Sequence, residues 1–167
     1  MDQLWAPWRG EYVTKPGGQG AECFLCAASS VTEADPDLGL VHVARHSMIM
    51  LNRYPYSAGH LLIAPRSHEG AVEELSDDLY SCLMSSVRMA IRAVRNVYQP
   101  HGMNVGMNLG SAAGAGVPDH CHVHVVPRWH GDTNFMPVIG DVKVLAEAMS
   151  ATWQKVADEI RRLESGR

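Results

Sequence analysis

The sequence lacks any long hydrophobic stretch. Among its 167 residues there is no run of about 18 uncharged apolar residues, the minimum for a membrane-spanning helix. The N-terminus also lacks a basic segment followed by a long apolar one, which is the pattern of a secretory signal. We therefore expect neither a membrane span nor an export signal, and we expect a cytoplasmic location.

The chain also lacks an excess of positive charge. Its 14 Lys and Arg residues are outnumbered by 18 Asp and Glu residues, which gives a formal net charge of −4. Proteins that bind nucleic acid or anionic membranes usually carry a basic surface. We expect no nucleic-acid partner and no membrane partner, so phosphate recognition has to come from a local site.

Cysteine is scarce, with four residues in the chain. Cytosolic thiols stay reduced, so the closely spaced Cys23 and Cys26 indicate metal ligands better than a disulfide, while Cys82 and Cys121 resemble ordinary buried thiols. A chain of this length buries about 70% of its unfolded surface and needs no disulfide to form a core. We expect a single domain over residues 1–167.

Short β-branched runs predict five strands. Two runs within residues 40–52 flank Arg45 to Ser47 as a hairpin, and a third run covers residues 60–64. Residues 103–109 and 121–126 give the last two, with Pro127 as the predicted end of the fifth. Strands joined mainly by short turns favour an antiparallel sheet.

Two helices are predicted, one in the middle of the chain and one at its C-terminus. The first begins at Ser76, which precedes two aspartates, and ends before Pro100. The second covers residues 142–163 with an apolar stripe suited to core or dimer packing. The fold class is therefore α+β, with an N-terminal loop region over 1–39 around the Cys23–Cys26 knuckle, a core over 40–139 and a C-terminal helical segment over 140–167.

Three alternating histidines are the most informative feature. A strand has a period of two, so His120, His122 and His124 share one face and lie about 6.6 Å apart along it. An imidazole attacks phosphorus well when a hydrogen bond holds one ring nitrogen and the other faces the phosphate. The glycine-rich segment 110–116 offers backbone N–H groups for phosphate oxygens.

The triad is followed by two apolar residues and then by Pro127, Arg128 and Trp129, and this pattern resembles the histidine-triad (HIT) superfamily. The likeness runs from about residue 23 to residue 139. Further matching segments are Asn52 with the residues after it, 59–65, 102–114 and 127–135, and the last two are similar to bacterial diadenosine tetraphosphate phosphorylases.

The resemblance implies a role for each residue. His122 is the nucleophile that forms a nucleotidyl-histidine intermediate, and His124 assists the phosphate or the leaving group. Asn52 contacts the ribose, and Asn108 lies near the α-phosphate. The catalytic set is His120, His122 and His124, and the substrate-binding set is Asn52, Asn108, Gly114, Ala115 and Gly116.

The expected substrate is an adenine nucleotide or a dinucleoside polyphosphate. Many relatives have a glutamine and a hydroxyl residue where this chain has Gly116 and Val117. That difference argues against simple phosphoramidate hydrolysis, because the space it opens suits inorganic phosphate as the acceptor. A phosphoramidate or other adenylyl hydrolase is the alternative reaction, and a non-catalytic zinc and nucleotide-binding module is the alternative from another class.

In zinc-containing members of the superfamily two histidines complete the metal site, and here they correspond to His68 and His120. With Cys23 and Cys26 they supply four ligands, so the zinc is structural and no catalytic metal is required. The alternative is that the cysteines are buried thiols and His68 caps a loop.

The remaining aromatic and histidine residues receive no catalytic role. We expect Trp5 and Trp8 to anchor the N-terminus on the core or on a second subunit, and we expect a homo-oligomer, a dimer or larger. Ordinary surface or strand-end positions are predicted for His42, His46, His60, His101 and His130.

Overall fold

The computed structural model describes residues 23–132 and 147–166. Among them is a five-stranded sheet in the order β1-β2-β3-β5-β4, with every neighbouring pair antiparallel. The α+β class and the five-stranded antiparallel sheet are thus confirmed. The strands are β1 (Leu40–Val43), β2 (Ser47–Leu51), β3 (Leu61–Pro65), β4 (Gly102–Met107) and β5 (Val123–Arg128), and the helices are α1 (Phe24–Ser29), α2 (Asp77–Tyr98) and α3 (Met149–Ser165).

The sheet has two buried faces because alternate residues of each strand point in opposite directions. Helices α2 and α3 cover the face that carries Leu61, Ile63, Val123 and Val125. The opposite face has a second apolar cluster, in which α1 contributes Leu25 and Ala28 to residues of the strands, namely Leu40, Met48, Met50, Leu62 and Ala64. His124 pairs with Leu62 in the β3–β5 ladder, so its side chain belongs to this second face.

The boundaries of helix α2 follow from local chemistry. Helix α2 begins after Ser76, whose Oγ accepts a hydrogen bond from the Leu79 amide at 3.4 Å. It ends at Tyr98, because the next residue, Gln99, takes the left-handed conformation (φ 45°) directly before Pro100. Helix α3 buries Val156 and Ile160 of its stripe against the core, which is core packing. The predicted C-terminal helix over 142–163 starts too early, because Glu147 and Ala148 precede the helix and Ala148 is extended. Residues 142–146 lie outside the described residues, as do Trp5, Trp8 and residues 1–22 of the predicted N-terminal loop region.

Other predicted boundaries are wrong as well, and strand β3, predicted over 60–64, covers Leu61–Pro65. Cys26 lies in helix α1 and not in a loop, because Leu25 and Ala28 gain burial against the sheet. Strand β4 covers Gly102–Met107 in place of 103–109. Strand β5 covers Val123–Arg128 in place of 121–126. Pro127 is tolerated within it because β3 pairs with β5 only as far as Val125, so no backbone amide of residue 127 is needed for a hydrogen bond to β3.

No helix in the described parts of the chain has the length and apolar character that a membrane span requires.

Candidate active site

His122 lies just before β5 and is held by the backbone. Its Nδ1 is 2.9 Å from the carbonyl oxygen of His120, which can only accept a hydrogen bond, so Nδ1 carries the proton and Nε2 keeps its lone pair. The side chain is buried, and this burial lowers the pKa of His122, although the bond to His120 opposes the shift. The neutral imidazole therefore offers Nε2 as a nucleophile at neutral pH.

His124 is the neighbour of His122 on the same face of the sheet. The two ring centroids are 5.0 Å apart with the rings nearly perpendicular. Burial, and secondarily the repulsion between two protonated rings if His122 were also charged, lowers the pKa of His124 to about 4. Its Nε2 is buried and has no hydrogen-bond partner among the described residues.

His60 was predicted to be an ordinary strand-end residue, and that prediction is wrong. Its side chain is only 1% exposed, and its Nε2 lies 3.0 Å from Nδ1 of His124. The backbone amide of Tyr56 donates to His60 Nδ1 at 3.0 Å. The sequence signal that marks His60 is the pair Gly59-His60 directly before a buried strand. This pair lies in a segment that resembles the family, but the resemblance implied no role for His60.

Asn52 follows β2 and lies against His60. Its Oδ1 accepts a hydrogen bond from the Tyr54 amide at 2.9 Å, so its Nδ2 points the other way, 3.3 Å from both ring nitrogens of His60. The predicted ribose ligand is thus within the histidine cluster. The ring of Tyr56 is nearly parallel to that of His124, with a centroid distance of 6.1 Å.

The glycine-rich turn lies beside His122. Met107 pairs with Val123, so the next residue, Asn108, is opposite His122, and its Nδ2 donates to the carbonyl of Gly114 at 3.4 Å. The amides of Gly114 and Ala115 donate within the turn, to Ser111 and Gly110 respectively. Those two amides are therefore already engaged in this conformation.

Gly106 is a site position that the sequence reasoning missed. It pairs with His124 across the β4–β5 ladder and therefore shares the face of the histidines. A Cβ placed on Gly106 meets no atom of the described residues within 4 Å. The absence of a side chain at Gly106 leaves open space over β4 next to His124. This space could not be predicted from the sequence, because it depends on the register in which β4 pairs with β5.

A second cluster contains Cys23, Cys26, His68 and His120, whose ligand atoms all lie within 4.8 Å of one another. His120 Nε2 donates to the carbonyl of Pro65 at 2.9 Å, so its Nδ1 has a lone pair, and this atom lies 3.4 Å from Cys23 Sγ and 3.6 Å from Cys26 Sγ. Tetrahedral zinc, with bonds of about 2.0 to 2.3 Å, separates its ligand atoms by about 3.3 to 3.8 Å. The four side chains therefore fit a zinc ion with little movement.

Burial and neighbouring groups perturb this cluster. Burial lowers the pKa of His120, and the Pro65 carbonyl opposes that shift. Partial burial, followed by the adjacent Cys23 thiol, raises the pKa of the Cys26 thiol. A cation between the two sulfurs would remove this mutual repulsion of thiolates.

The other singled-out residues lie elsewhere. Cys121 is buried as predicted, whereas Cys82 is partly exposed and lies 3.3 Å from the Ser47 hydroxyl. His42 is 3.7 Å from Glu164 at the end of α3, and His101 accepts a hydrogen bond from the His130 amide at 2.9 Å. These contacts involve none of the triad.

Comparison with known proteins agrees with this geometry. The sequence profile of the HIT domain matches residues 39–131. An AP-4-A phosphorylase of Mycobacterium tuberculosis is 40% identical over 97% of this chain and 86% of its own length. An asymmetrical bis(5'-nucleosyl)-tetraphosphatase of Schizosaccharomyces pombe is 31% identical over 52% of this chain and 47% of its own length.

Among solved structures, a Zn-bound histidine triad family protein of Mycobacterium smegmatis superimposes with a TM-score of 0.68 at 22% identity, covering 87% of this chain and 98% of that protein. This likeness shows the shared fold. Together with the profile match and the 40% identity over nearly the whole chain, it leads to one conclusion. The chain belongs to the HIT domain family.

Proposed function

We propose that this HIT-family enzyme is a phosphorylase of dinucleoside polyphosphates such as diadenosine tetraphosphate, and that it acts through a nucleotidyl-histidine on His122. The observation that carries the proposal is the state of His122. A backbone carbonyl holds its Nδ1–H at 2.9 Å, which leaves the lone pair on Nε2 for attack on phosphorus.

The reaction consists of two in-line displacements. In the first, Nε2 of His122 bonds to the α-phosphorus of one nucleoside, and the bond from that phosphorus to the bridging oxygen breaks, so ATP departs with the electron pair. The imidazole then carries a positive charge, which the His120 carbonyl stabilises through Nδ1–H. In the second step an oxygen of inorganic phosphate attacks the same phosphorus, the N–P bond breaks, and ADP is released.

The choice of phosphate as acceptor rests on the relatives and on the turn. The M. tuberculosis relative is named a phosphorylase, whereas the S. pombe relative is named a tetraphosphatase, for which water is the acceptor. The first is more similar and matches nearly the whole chain. Gly116 and Val117 carry no side-chain amide or hydroxyl that would occupy the acceptor position.

We also propose that Cys23, Cys26, His68 and His120 hold a structural zinc ion. Four protein ligands leave no open coordination position, so the metal supplies rigidity and takes no part in the reaction. The carbonyl of Pro65 orients His120 in the way that outer groups usually orient metal-bound histidines. The M. smegmatis structure of the same fold is described as Zn-bound.

The test of the reaction is product identity. The 167-residue protein, purified without chelators, is incubated with diadenosine tetraphosphate, with and without radiolabelled inorganic phosphate, and the products are separated by chromatography. We expect ADP plus ATP, with the label in the β-phosphate of ADP. The His122→Ala variant should lose ~10³-fold or more of this activity and stay folded, while His130→Ala, which lies outside the triad, keeps it.

Formation of AMP plus ATP at a rate independent of phosphate would identify a hydrolase. Near-normal turnover by His122→Ala would refute the covalent route. Binding of the nucleotide without any product would favour the non-catalytic module. Metal analysis of protein purified without chelators, expected to give one zinc per chain, tests the metal proposal separately.

A further inference from the structure

The backbone amide of Tyr56 determines which nitrogen of His60 carries the proton. This amide donates to His60 Nδ1 at 3.0 Å, and an amide N–H can only donate. Nδ1 therefore has a lone pair and no proton. A neutral imidazole carries one N–H, so in His60 it is on Nε2.

The same reasoning extends to His124. Nε2 of His60 is 3.0 Å from Nδ1 of His124, and because the former bears the proton, the latter accepts it in a hydrogen bond. The single proton of neutral His124 is then on its Nε2. That atom is buried and has no acceptor among the described residues. The lowered pKa of His124, about 4, agrees with a neutral ring.

The two neighbouring imidazoles consequently have opposite tautomers. His122 has its proton on Nδ1 and presents a lone pair at Nε2, whereas His124 presents an N–H at Nε2. Their ring centroids are 5.0 Å apart. A nucleophile beside a hydrogen-bond donor is the arrangement that an attacked phosphoryl group requires, because charge on its oxygens grows during attack.

We propose that His60 is a positioning residue that keeps His124 in its Nε2–H tautomer, so that His124 donates a hydrogen bond to an oxygen of the substrate's phosphate groups. Only the identity of this acceptor rests on the proposed function. The tautomers follow from the hydrogen bonds alone. His60 touches no reacting atom in this scheme and acts through His124.

The test reads the tautomer directly. Protein labelled with ¹⁵N-histidine is studied by long-range ¹H–¹⁵N NMR at pH 7, which distinguishes protonated from bare ring nitrogens. We expect a proton on Nε2 of His124 and none on its Nδ1. His60→Leu removes the donor, and His60→Gln keeps an amide N–H in its place.

In His60→Leu we expect His124 to become a mixture of tautomers and kcat to fall by about 10²-fold with a smaller change in KM, as for the loss of one oriented donor. His60→Gln should recover most of the activity and the Nε2–H signal. His130→Leu, at an exposed position, controls for the loss of a histidine. Circular dichroism confirms that each variant is folded.

A wild-type His124 with its proton on Nδ1 overturns the inference, and this result does not depend on the folding of any variant. An unchanged His124 tautomer in folded His60→Leu overturns it as well. If the wild type shows the expected tautomer but transfers no nucleotidyl group, the proposed function fails and the positioning role of His60 stands.

Discussion

Replacement of Gly59 by alanine tests the packing immediately before His60. Gly59 has φ +80°, and a Cβ at this position lies 2.8 Å from Cε2 and 2.9 Å from Cδ2 of the Tyr98 ring, with Pro127 Cγ at 3.4 Å. The Tyr98 ring has little freedom to move away, since its hydroxyl donates to Glu147 at 2.5 Å and the ring lies nearly perpendicular to that of Trp129, with a centroid distance of 6.4 Å. Both the backbone and the new methyl group are therefore strained.

The two costs can be estimated separately. A left-handed backbone costs an L-residue about 1 to 2 kcal/mol. Forcing an extra methyl into a packed position costs about 1 to 3 kcal/mol. We expect Gly59→Ala to lower the free energy of unfolding by about 2 to 5 kcal/mol, the sum of these ranges.

Two matched glycines isolate the contributions. Gly131 has φ +75°, and no atom of residues 23–132 or 147–166 lies within 4 Å of a Cβ placed there, so Gly131→Ala should cost only the backbone part, about 1 to 2 kcal/mol. Gly102 has neither feature, and Gly102→Ala should stay within about 0.5 kcal/mol of the wild type.

The assay is equilibrium unfolding in urea at fixed metal content, followed by circular dichroism and analysed by linear extrapolation. Equal losses for Gly59→Ala and Gly131→Ala would refute the close approach of Tyr98. Equal stability of Gly131→Ala and Gly102→Ala would refute the backbone argument.

Three further predictions follow from the site. Cys26→Ser should reduce bound zinc from one ion per chain and lower Tm, with Cys82→Ser as the control that retains the metal, as measured by elemental analysis and calorimetry. The pKa of His124 is about 4 in the folded protein and about 6.5 in an unfolded chain, so the unfolded state binds more protons between these values. The contribution of His124 to the free energy of unfolding is therefore fully present above pH 6.5 and is lost as the pH falls toward 4. Urea titrations of His124→Gln should show a smaller decrease in the free energy of unfolding over this pH range than those of the wild type. An identical pH dependence of the two proteins would contradict the assignment. The side chain introduced by Gly106→Val fills the space opposite His124, so KM should rise about tenfold, equivalent to about 1.4 kcal/mol, without a lower Tm. The control Gly102→Val should leave KM unchanged. An unchanged KM in Gly106→Val would mean that substrate does not occupy this space.

Local chemistry explains which elements were predictable. Ser76 and Pro100 mark the ends of α2 because capping and the missing proline N–H act within one turn of the helix. The beginning of β5 is different. The amide of Cys121 donates to the Glu69 carbonyl at 2.7 Å, so this residue is bound outside the ladder although its neighbours favour a strand. A contact 52 positions away in the chain decided that boundary, and no local pattern encodes it.

The candidate site was predictable to the extent that a motif carried it. The alternation of His122 and His124 predicts from the sequence alone that they share one face of a strand. The family resemblance implied that His68 and His120 complete a metal site with Cys23 and Cys26. The contact of His60 with His124 depends on the register of β3 and β5, in which Leu62 pairs with His124. Register is set by pairing across the sheet, so neither composition nor periodicity within one strand reveals it.

The ring and the backbone carbonyl of His120 serve different sites, and this limits how the histidine motif can be grafted onto another protein. Its imidazole faces Cys23 and Cys26, while its carbonyl oxygen holds the proton of His122. An engineer who grafts only the strand with His122 and His124 onto another sheet would leave the nucleophile free to rotate and to exchange its tautomer. A graft that preserves the nucleophile therefore also needs the turn that carries the His120 carbonyl, the Pro65 carbonyl that orients the His120 ring, and the segment 23–26, whose two cysteines contact that ring.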